Sequence, residues 1–165
     1  MPKKLFLICG LSFISILAVV TVSFIQISTS HENTQPNSDH LLNLKSEEFI
    51  ANCFSYQLKG QYEEAIKAAS EATKLNPNEP QGYNCICTAY AGVKNYSEAI
   101  KASTKYIEIM DDRHELSINA VVRHVDFLVK GGMAIEKAIE FLQQYRGKVS
   151  PTKIDRYIEF YRKAQ

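Results

Sequence analysis

The chain has 165 residues, of which 45% are hydrophobic, and its 19 Lys and Arg against 18 Asp and Glu give a net charge of +1. This length allows one ordinary domain, and the apolar content excludes a chain that is disordered throughout. Domains that bind nucleic acid usually carry a clustered basic excess. The sequence shows none, so we expect no nucleic-acid partner.

The N-terminal segment is the most apolar part of the sequence. Residues 5–27 form a run of 23 residues without a charge, directly after Lys3 and Lys4. About 20 apolar residues span the hydrocarbon core of a membrane, whereas a secretory signal needs an apolar run of only about 7–15. Residues 1–27 therefore predict a retained transmembrane anchor, and a cleaved signal peptide is the alternative.

The charges that flank this segment predict an orientation. Lys3 and Lys4 precede the apolar run, and no Lys or Arg follows it before Lys45. The positive-inside rule then places the rest of the chain outside the cytoplasm, as a single-pass membrane protein. After cleavage, the product is secreted or periplasmic. Residues 28–45 are polar and contain Pro36, so we expect a disordered tether.

Beyond the tether, apolar residues recur with a helical period and the sequence repeats itself. The phrase Tyr62–Ala68 returns as Tyr96–Ala102, at an offset of 34 residues. A turn at Gly60 separates the first two predicted helices, and Pro77 ends the second because proline cannot continue a helix. Asn95 is a good N-terminal cap for the fourth helix. Two helices in 34 residues form one unit.

Two helices per 34 residues is the period of tetratricopeptide repeats, and the sequence resembles two of them in tandem, at 46–79 and 80–113. That family favours an aromatic residue at position 4, a small one at 8, Tyr at 11 and 17, Gly at 15, Ala at 20 and 27, and Pro at 32. The first copy offers Phe49, Cys53, Tyr56, Gly60, Tyr62, Ala65, Ala72 and Pro77. The second keeps Tyr83, Cys87, Tyr90, Tyr96 and Ala99, but loses the glycine, the second alanine and the proline.

The remaining chain predicts a third, degenerate repeat and a capping helix. Residues 114–147 repeat the second-helix phrase around Ala138, with an insertion around Met110–Ser117. Ser150 and Pro151 begin a last helix within residues 148–165, with serine as the cap and proline in the first turn. The resemblance implies an all-α, right-handed superhelix of about three helix pairs plus this capping helix.

Catalytic motifs are scarce in the sequence. It contains no glycine-rich phosphate loop, nucleophile elbow or zinc-protease helix, so we expect no enzyme activity, cofactor or metal site. Cys53 and Cys87 occupy the small position 8 of successive repeats, which indicates packing residues. Cys85 and Cys87 point to different sides of one helix and suit neither a disulfide nor a shared metal.

The resemblance also implies a function, the binding of a protein or peptide in a concave groove lined by the first helix of each repeat. Ile50, Phe54 and Phe127 are the expected apolar anchors, although Phe54 is equally compatible with the core. Gln57 and Asn84 would bond a peptide backbone, and Arg123 with Lys130 would receive a carboxylate. The predicted groove consists of Ile50, Phe54, Gln57, Asn84, Thr88, Arg123, Phe127 and Lys130.

Some family members use a clamp of Lys, Asn and Arg to hold a chaperone's C-terminal carboxylate. The corresponding places here hold Ile50, Phe54, Cys85, Ala120 and His124. A receptor for chaperone tails is therefore disfavoured. We expect instead a tethered interaction module that assembles other envelope or secreted proteins. The alternatives are a purely structural element or a non-catalytic accessory of an envelope enzyme, with a cleaved signal peptide.

Overall fold

A computed structural model describes residues 37–163, which contain seven α-helices and no strand. The helices are α1 (Ser38–Leu58), α2 (Tyr62–Leu75), α3 (Pro80–Gly92), α4 (Tyr96–Asp112), α5 (Ile118–Lys130), α6 (Ile135–Gln144) and α7 (Pro151–Lys163). The predicted span at 5–27 and residues 28–36 of the predicted tether lie outside the described residues.

Helices that are consecutive in the chain pack against one another throughout the stack. The three pairs are α1 with α2, α3 with α4, and α5 with α6; α2 also contacts α3, and α4 contacts α5. The last helix, α7, packs on α6 and α5. This all-α arrangement of three pairs and a capping helix is the predicted one, while the right-handed sense of the superhelix stays a prediction.

Left-handed backbone positions separate the two helices of each pair. Gly60 (φ 72°) lies between α1 and α2, and Gly132 (φ 97°) lies between α5 and α6. The equivalent position between α3 and α4 is Lys94, with φ 60°. Glycine adopts this conformation without the steric cost that a side chain imposes. Lys94 occupies the place where the second repeat lost the family's glycine, and the turn keeps the same backbone shape.

Small residues let the helices of the first two pairs approach closely. The core here, which we call the small-residue core, consists of Cys53, Ala65, Ala68, Ala69, Cys85 and Ala89. Gly92, the last residue of α3, shows how close the approach is. A Cβ added there would lie 2.5 Å from Cδ1 of the Tyr62 ring. The ring therefore packs directly on the glycine backbone.

A disulfide joins Cys53 of α1 to Cys85 of α3, with the two Cα atoms 6.4 Å apart. The prediction that Cys53 is only a packing residue is therefore wrong. That prediction considered a disulfide only between equivalent positions of neighbouring repeats, which are Cys53 and Cys87. Cys85 precedes Cys87 by two residues and so lies on another side of α3, within the Cα separation that disulfides require. Cys87 is a buried free thiol, as expected of a packing residue.

The second half of the stack has a different core, built from large side chains. This large-residue core joins α5, α6 and α7 through Ile118, Val121, Val122, Val125, Ala138, Ile139, Leu142, Ile154, Ile158 and Tyr161. The hydroxyl of Tyr161 donates a hydrogen bond to Asp126, which ties α7 to α5. Burial of the Tyr161 side chain raises its pKa, and the hydrogen bond to Asp126 raises it further. The capping helix thus covers the open end of the stack.

The predicted disordered tether is wrong over its last eight residues, because α1 begins at Ser38. Leucine and lysine in this stretch are good helix formers, and Asp39 lies in the first turn, where a negative charge is favourable. The side chain of Asn76, after α2, also donates to Asn43 at 3.0 Å. The helix therefore extends from its packed part towards the N-terminus.

The predicted membrane localisation also needs correction. Over residues 37–163, no helix combines the length and the apolar character that crossing a bilayer requires. The localisation is therefore wrong for the described part of the chain, and residues 5–27, on which it depended, lie outside that part. Neither this localisation nor its secreted or periplasmic alternative is carried further.

Candidate functional site

The predicted groove residues lie on the first helix of each pair, but they differ in exposure. α1 carries Ile50, Phe54 and Gln57; α3 carries Asn84 and Thr88; and α5 carries Arg123, Phe127 and Lys130. Phe54 is 37% exposed and Lys130 is exposed, whereas the four polar residues between them along the chain are partly buried.

Two of the expected apolar anchors belong to the core instead. Ile50 is 8% exposed and Phe127 is 6% exposed. Ile50 lies on the same face of α1 as the buried Ser46 and Cys53, four residues before it and three after it. Phe127 packs among Cys87, Ala99 and Ala102, whose small side chains leave room for its ring. The expectation that these two residues are exposed anchors is therefore wrong.

The side chains of Gln57 and Thr88 already form hydrogen bonds within the stack. The Gln57 side-chain amide donates to the carbonyl oxygen of Cys85 at 2.7 Å, which links α1 to α3 beside the disulfide. The Thr88 hydroxyl donates to the carbonyl oxygen of Asn84 at 2.9 Å. Gln57 therefore links two helices and Thr88 bonds within its own helix, so both have less capacity for a ligand than the sequence indicated.

Arg123 is the groove residue with the least satisfied chemistry. Its guanidinium carbon lies 5.6 Å from the centroid of the Tyr106 ring, in a cation–π contact between α5 and α4. Its Nε atom is buried and has no hydrogen-bond partner among residues 37–163. A partly buried cation thus lies over an aromatic ring, with its Nε donor unused among residues 37–163.

The side chain of Asn84 also has a buried atom without a hydrogen-bond partner in the described range, but this atom is an acceptor and not a donor. Its side-chain Nδ2 donates to Oε1 of Gln81 at 3.1 Å, while its Oδ1 is buried without a donor in the described range. Buried polar atoms without a partner are uncommon and costly. The groove therefore combines an unused donor on Arg123 with an unused acceptor on Asn84.

The Cys87 thiol connects these two residues. Its Sγ lies 3.1 Å from the carbonyl oxygen of Asn84. Burial raises the pKa of the Cys87 thiol, and the nearby positive charge of Arg123 partly opposes this shift. Cys87 of α3 also packs in one cluster with Phe127 of α5, so the two helices meet here. A thiol that is buried and neutral is a packing group and not a nucleophile.

Sequence reasoning missed a buried polar pair between α4 and α5. The Ser103 hydroxyl oxygen lies 2.7 Å from Nδ1 of His124 and 3.0 Å from the carbonyl oxygen of Ile100. Since a hydroxyl has one proton, His124 Nδ1–H donating to Ser103, and Ser103 donating to Ile100, satisfies both groups. Burial lowers the pKa of His124 to about 4. The 21-residue separation of Ser103 and His124 carries no recognisable motif.

This serine–histidine pair does not form a catalytic site. Ser103 is 1% exposed and His124 is 4% exposed, so a substrate has no access to either. Elsewhere in residues 37–163, no group of three or more His, Cys, Asp or Glu side chains has the geometry of a metal site.

Comparisons with known proteins agree with this architecture. No protein-family model matches the chain, and no curated protein matches it. Among solved structures, the TPR2B domain of yeast Sti1 in its pHsp70 complex is 24% identical with a TM-score of 0.61, covering 74% of this chain and 99% of that one. The N-terminal domain of stress-induced protein-1 from C. elegans is 14% identical with a TM-score of 0.65, covering 76% and 98%.

A third similar structure is also a complex of yeast Sti1. The TPR2AB domain of yeast Sti1 in its pHSP90 complex is 23% identical with a TM-score of 0.59. The match covers 88% of this chain and about half, 54%, of that one. Identities this low establish the fold alone. The chain therefore has the fold of tetratricopeptide-repeat domains, which confirms the resemblance of its two 34-residue copies to that family.

Proposed function

We propose that the chain is a non-catalytic protein-interaction module that binds an extended segment of a partner across α1, α3 and α5. Arg123 carries this proposal. Its guanidinium is positioned over Tyr106, and its buried Nε atom has no acceptor in the described range. A carbonyl or carboxylate oxygen from a partner would use this capacity, and hydrogen bonds to a charged donor are among the stronger ones.

The neighbouring residues support an extended peptide as the ligand. A peptide main chain in extended form offers N–H donors and C=O acceptors along its length. Asn84 Oδ1 lacks a donor and Arg123 Nε lacks an acceptor in the described range, and a main chain that reaches both side chains would satisfy both atoms. Phe54 contributes an exposed aromatic surface on α1, and Lys130 adds an exposed cation at the end of α5.

The similar structures support protein binding in general terms but not a particular partner. Two of them are complexes, with pHsp70 and with pHSP90, and both belong to Sti1. At the places of the chaperone-tail clamp, this chain has Ile50 and Cys85 buried, Cys85 within a disulfide. A different partner segment is therefore proposed, one that meets Arg123 with an oxygen atom.

The test is a selection of phage-displayed random dodecapeptides on the full chain, followed by calorimetric titration of the selected peptides. We expect Arg123→Gln to weaken binding by about tenfold or more, because interface arginines are enriched among the residues that dominate affinity. Arg162→Gln, which alters an exposed arginine on α7, is the matched control and leaves affinity unchanged.

Two results would contradict the proposal. It is wrong if no selected peptide binds, or if the selected peptides bind wild type and Arg123→Gln equally well. Phe54→Ala serves as a second variant, because a peptide anchor loses about 1–3 kcal/mol of binding on truncation. If Phe54 instead supports the core, the same variant loses stability, which a melting curve detects.

A further inference from the structure

A second candidate site lies between the start of α5 and the capping helix α7, away from the predicted groove. It is an open cavity of about 350 Å³ and shares no residue with the groove. Its size falls within the range of known ligand pockets. The lining residues are Ile118, Asn119, Lys153, Arg156, Tyr157 and Phe160.

The cavity has a local excess of positive charge. The two acidic residues of α7 are committed elsewhere, since Asp155 pairs with Arg146 at 2.7 Å and Glu159 pairs with Lys163 at 2.6 Å. Lys153 and Arg156 have no ion pair and no hydrogen bond with another residue of the described range. The chain as a whole has a net charge of only +1. Beside this cavity it has two cations without an ion pair in the described range, which is a local positive excess.

The same surface exposes aromatic area. Phe160 is 62% exposed, the most exposed aromatic residue among the large hydrophobic residues of the described range, and Tyr157 is partly buried beside it. Ile118 is buried at the edge of the cavity. An aromatic ring left in water loses the burial that normally stabilises it. A ligand with an apolar group would recover that area.

The order of these residues along α7 defines the shape of a ligand. Lys153, Arg156, Tyr157 and Phe160 stand at positions i, i+3, i+4 and i+7, which lie on one face of a helix. With a rise of about 1.5 Å per residue, the stripe is about 10 Å long. An extended peptide of about three residues spans the same length.

We propose that this stripe, with the cavity beside it, binds an acidic peptide segment that carries an aromatic or large aliphatic residue next to its carboxylates. The carboxylates meet Lys153 and Arg156, and the apolar side chain packs between Phe160 and Ile118. The site acts independently of the groove, so the chain engages two protein segments at separate places.

Single-stranded nucleic acid is the main competing ligand, since cations and aromatic rings also bind phosphates and bases. Two cations neutralise too few phosphates for appreciable affinity at physiological salt. A short acidic peptide needs only the two cations for its carboxylates and the exposed ring of Phe160 for its apolar side chain.

The probe for the test is the fluorescein-labelled peptide acetyl-Asp-Glu-Phe-Glu-Asp-amide, titrated with the full chain by fluorescence anisotropy. We expect saturable binding that weakens at high salt, because exposed charge pairs are screened. The double variant K153E/R156E should lose about tenfold or more in affinity, since each reversal replaces attraction by repulsion. F160S should lose about threefold or more.

Two controls separate this site from general charge effects and from the groove. K59E reverses an exposed lysine in the turn after α1 and should bind the probe as wild type does. K137E, which reverses an exposed lysine on α6, should also bind it unchanged. Neither the probe nor these variants involve Arg123, so failure of the groove proposal and failure of this one remain distinguishable. Circular dichroism verifies that the variants are folded, which is expected because Lys153, Arg156 and Phe160 are exposed.

Any of three results overturns the inference. The first is K153E/R156E binding the probe as tightly as wild type. The second is equal binding of the charge-reversed peptide acetyl-Lys-Lys-Phe-Lys-Lys-amide. The third is tighter binding of oligothymidylate than of the acidic peptide, which would assign the stripe to nucleic acid.

Discussion

The two halves of the stack reach a similar architecture with different side chains. Helices α1 to α3 pack through alanine, cysteine and glycine, and a disulfide joins α1 to α3. Helices α5 to α7 pack through valine, isoleucine, leucine and tyrosine. Small residues bring helices close together but bury little apolar surface per residue, whereas large ones bury more. The first half therefore depends more on close contact and on its cross-link, and the second on hydrophobic burial.

The largest effect is expected in the second half. Leu142 of α6 is fully buried in the large-residue core, and Leu142→Ala should cost about 3–5 kcal/mol of unfolding free energy, because it removes buried carbon and leaves a cavity. Chemical denaturation measures this loss. Leu58→Ala is the matched control, since Leu58 is exposed, and it should change stability by less than about 0.5 kcal/mol. Equal losses in the two variants would contradict the comparison.

Reduction of the disulfide should act on the first half. Cys53 and Cys85 are 32 residues apart in sequence, and a loop of this length contributes about 4 kcal/mol, chiefly by restricting the unfolded chain. We expect the double variant Cys53→Ser/Cys85→Ser to lose this amount and to exchange amide hydrogens faster in α1 and α3. Cys87→Ala, which keeps the disulfide, is the control for loss of a cysteine. Uniformly faster exchange across all seven helices would show that the two halves do not differ.

A pH-dependent loss of stability is expected where the two halves meet. Burial holds the pKa of His124 at about 4, below the ordinary 6.5, so the unfolded chain takes up the proton more readily. Stability from this residue is therefore full above pH 6.5, falls as the pH drops towards 4, and amounts to about 2–3 kcal/mol. Denaturation at pH 7.5, 5.5 and 4 measures it.

His124→Gln should flatten this pH dependence, because glutamine does not titrate. His114→Gln is the control, since His114 is exposed in the turn after α4 and should leave the dependence in place. If wild type and His124→Gln lose stability in parallel between pH 6.5 and 4, the buried pair is not the cause.

The close approach in the first half can be tested with one methyl group. Gly92→Ala places a Cβ 2.5 Å from the Tyr62 ring, and overpacking of this kind costs about 1–3 kcal/mol. Gly147→Ala is the matched control, because nothing lies within 4 Å of an added Cβ there. A stable Gly92→Ala variant would mean that the α2–α3 contact is looser than described.

The fold was largely predictable because its determinants are local. Cys53, Ala65, Cys87 and Ala99 recur at fixed spacing, and every one of them is fully buried. The disulfide was not predictable in the same way, because it joins position 8 of one repeat to position 6 of the next. That pairing depends on how far one helix is rotated relative to the next. The sequence spacing of equivalent positions carries no information about this rotation.

The candidate site was only partly predictable for a related reason. Groove positions lie at the edge of the buried stripe of each helix, where the size of the neighbours decides exposure. Phe127 is buried because Ala99 and Ala102 leave room for its ring, while Phe54 on α1 stays partly exposed. The unsatisfied state of Arg123 depends on what surrounds it in space, which the sequence alone does not reveal.

The central claim is that Arg123 receives an oxygen atom of a partner segment, and its Nε–H group can be observed directly. We propose ¹⁵N NMR of the full chain during titration with a peptide from the phage selection. The account predicts that the Arg123 Nε–H resonance shifts downfield with saturation and that its exchange with water slows, because a hydrogen bond forms. An unchanged Arg123 Nε–H resonance at saturating peptide, with shifts elsewhere, would contradict it.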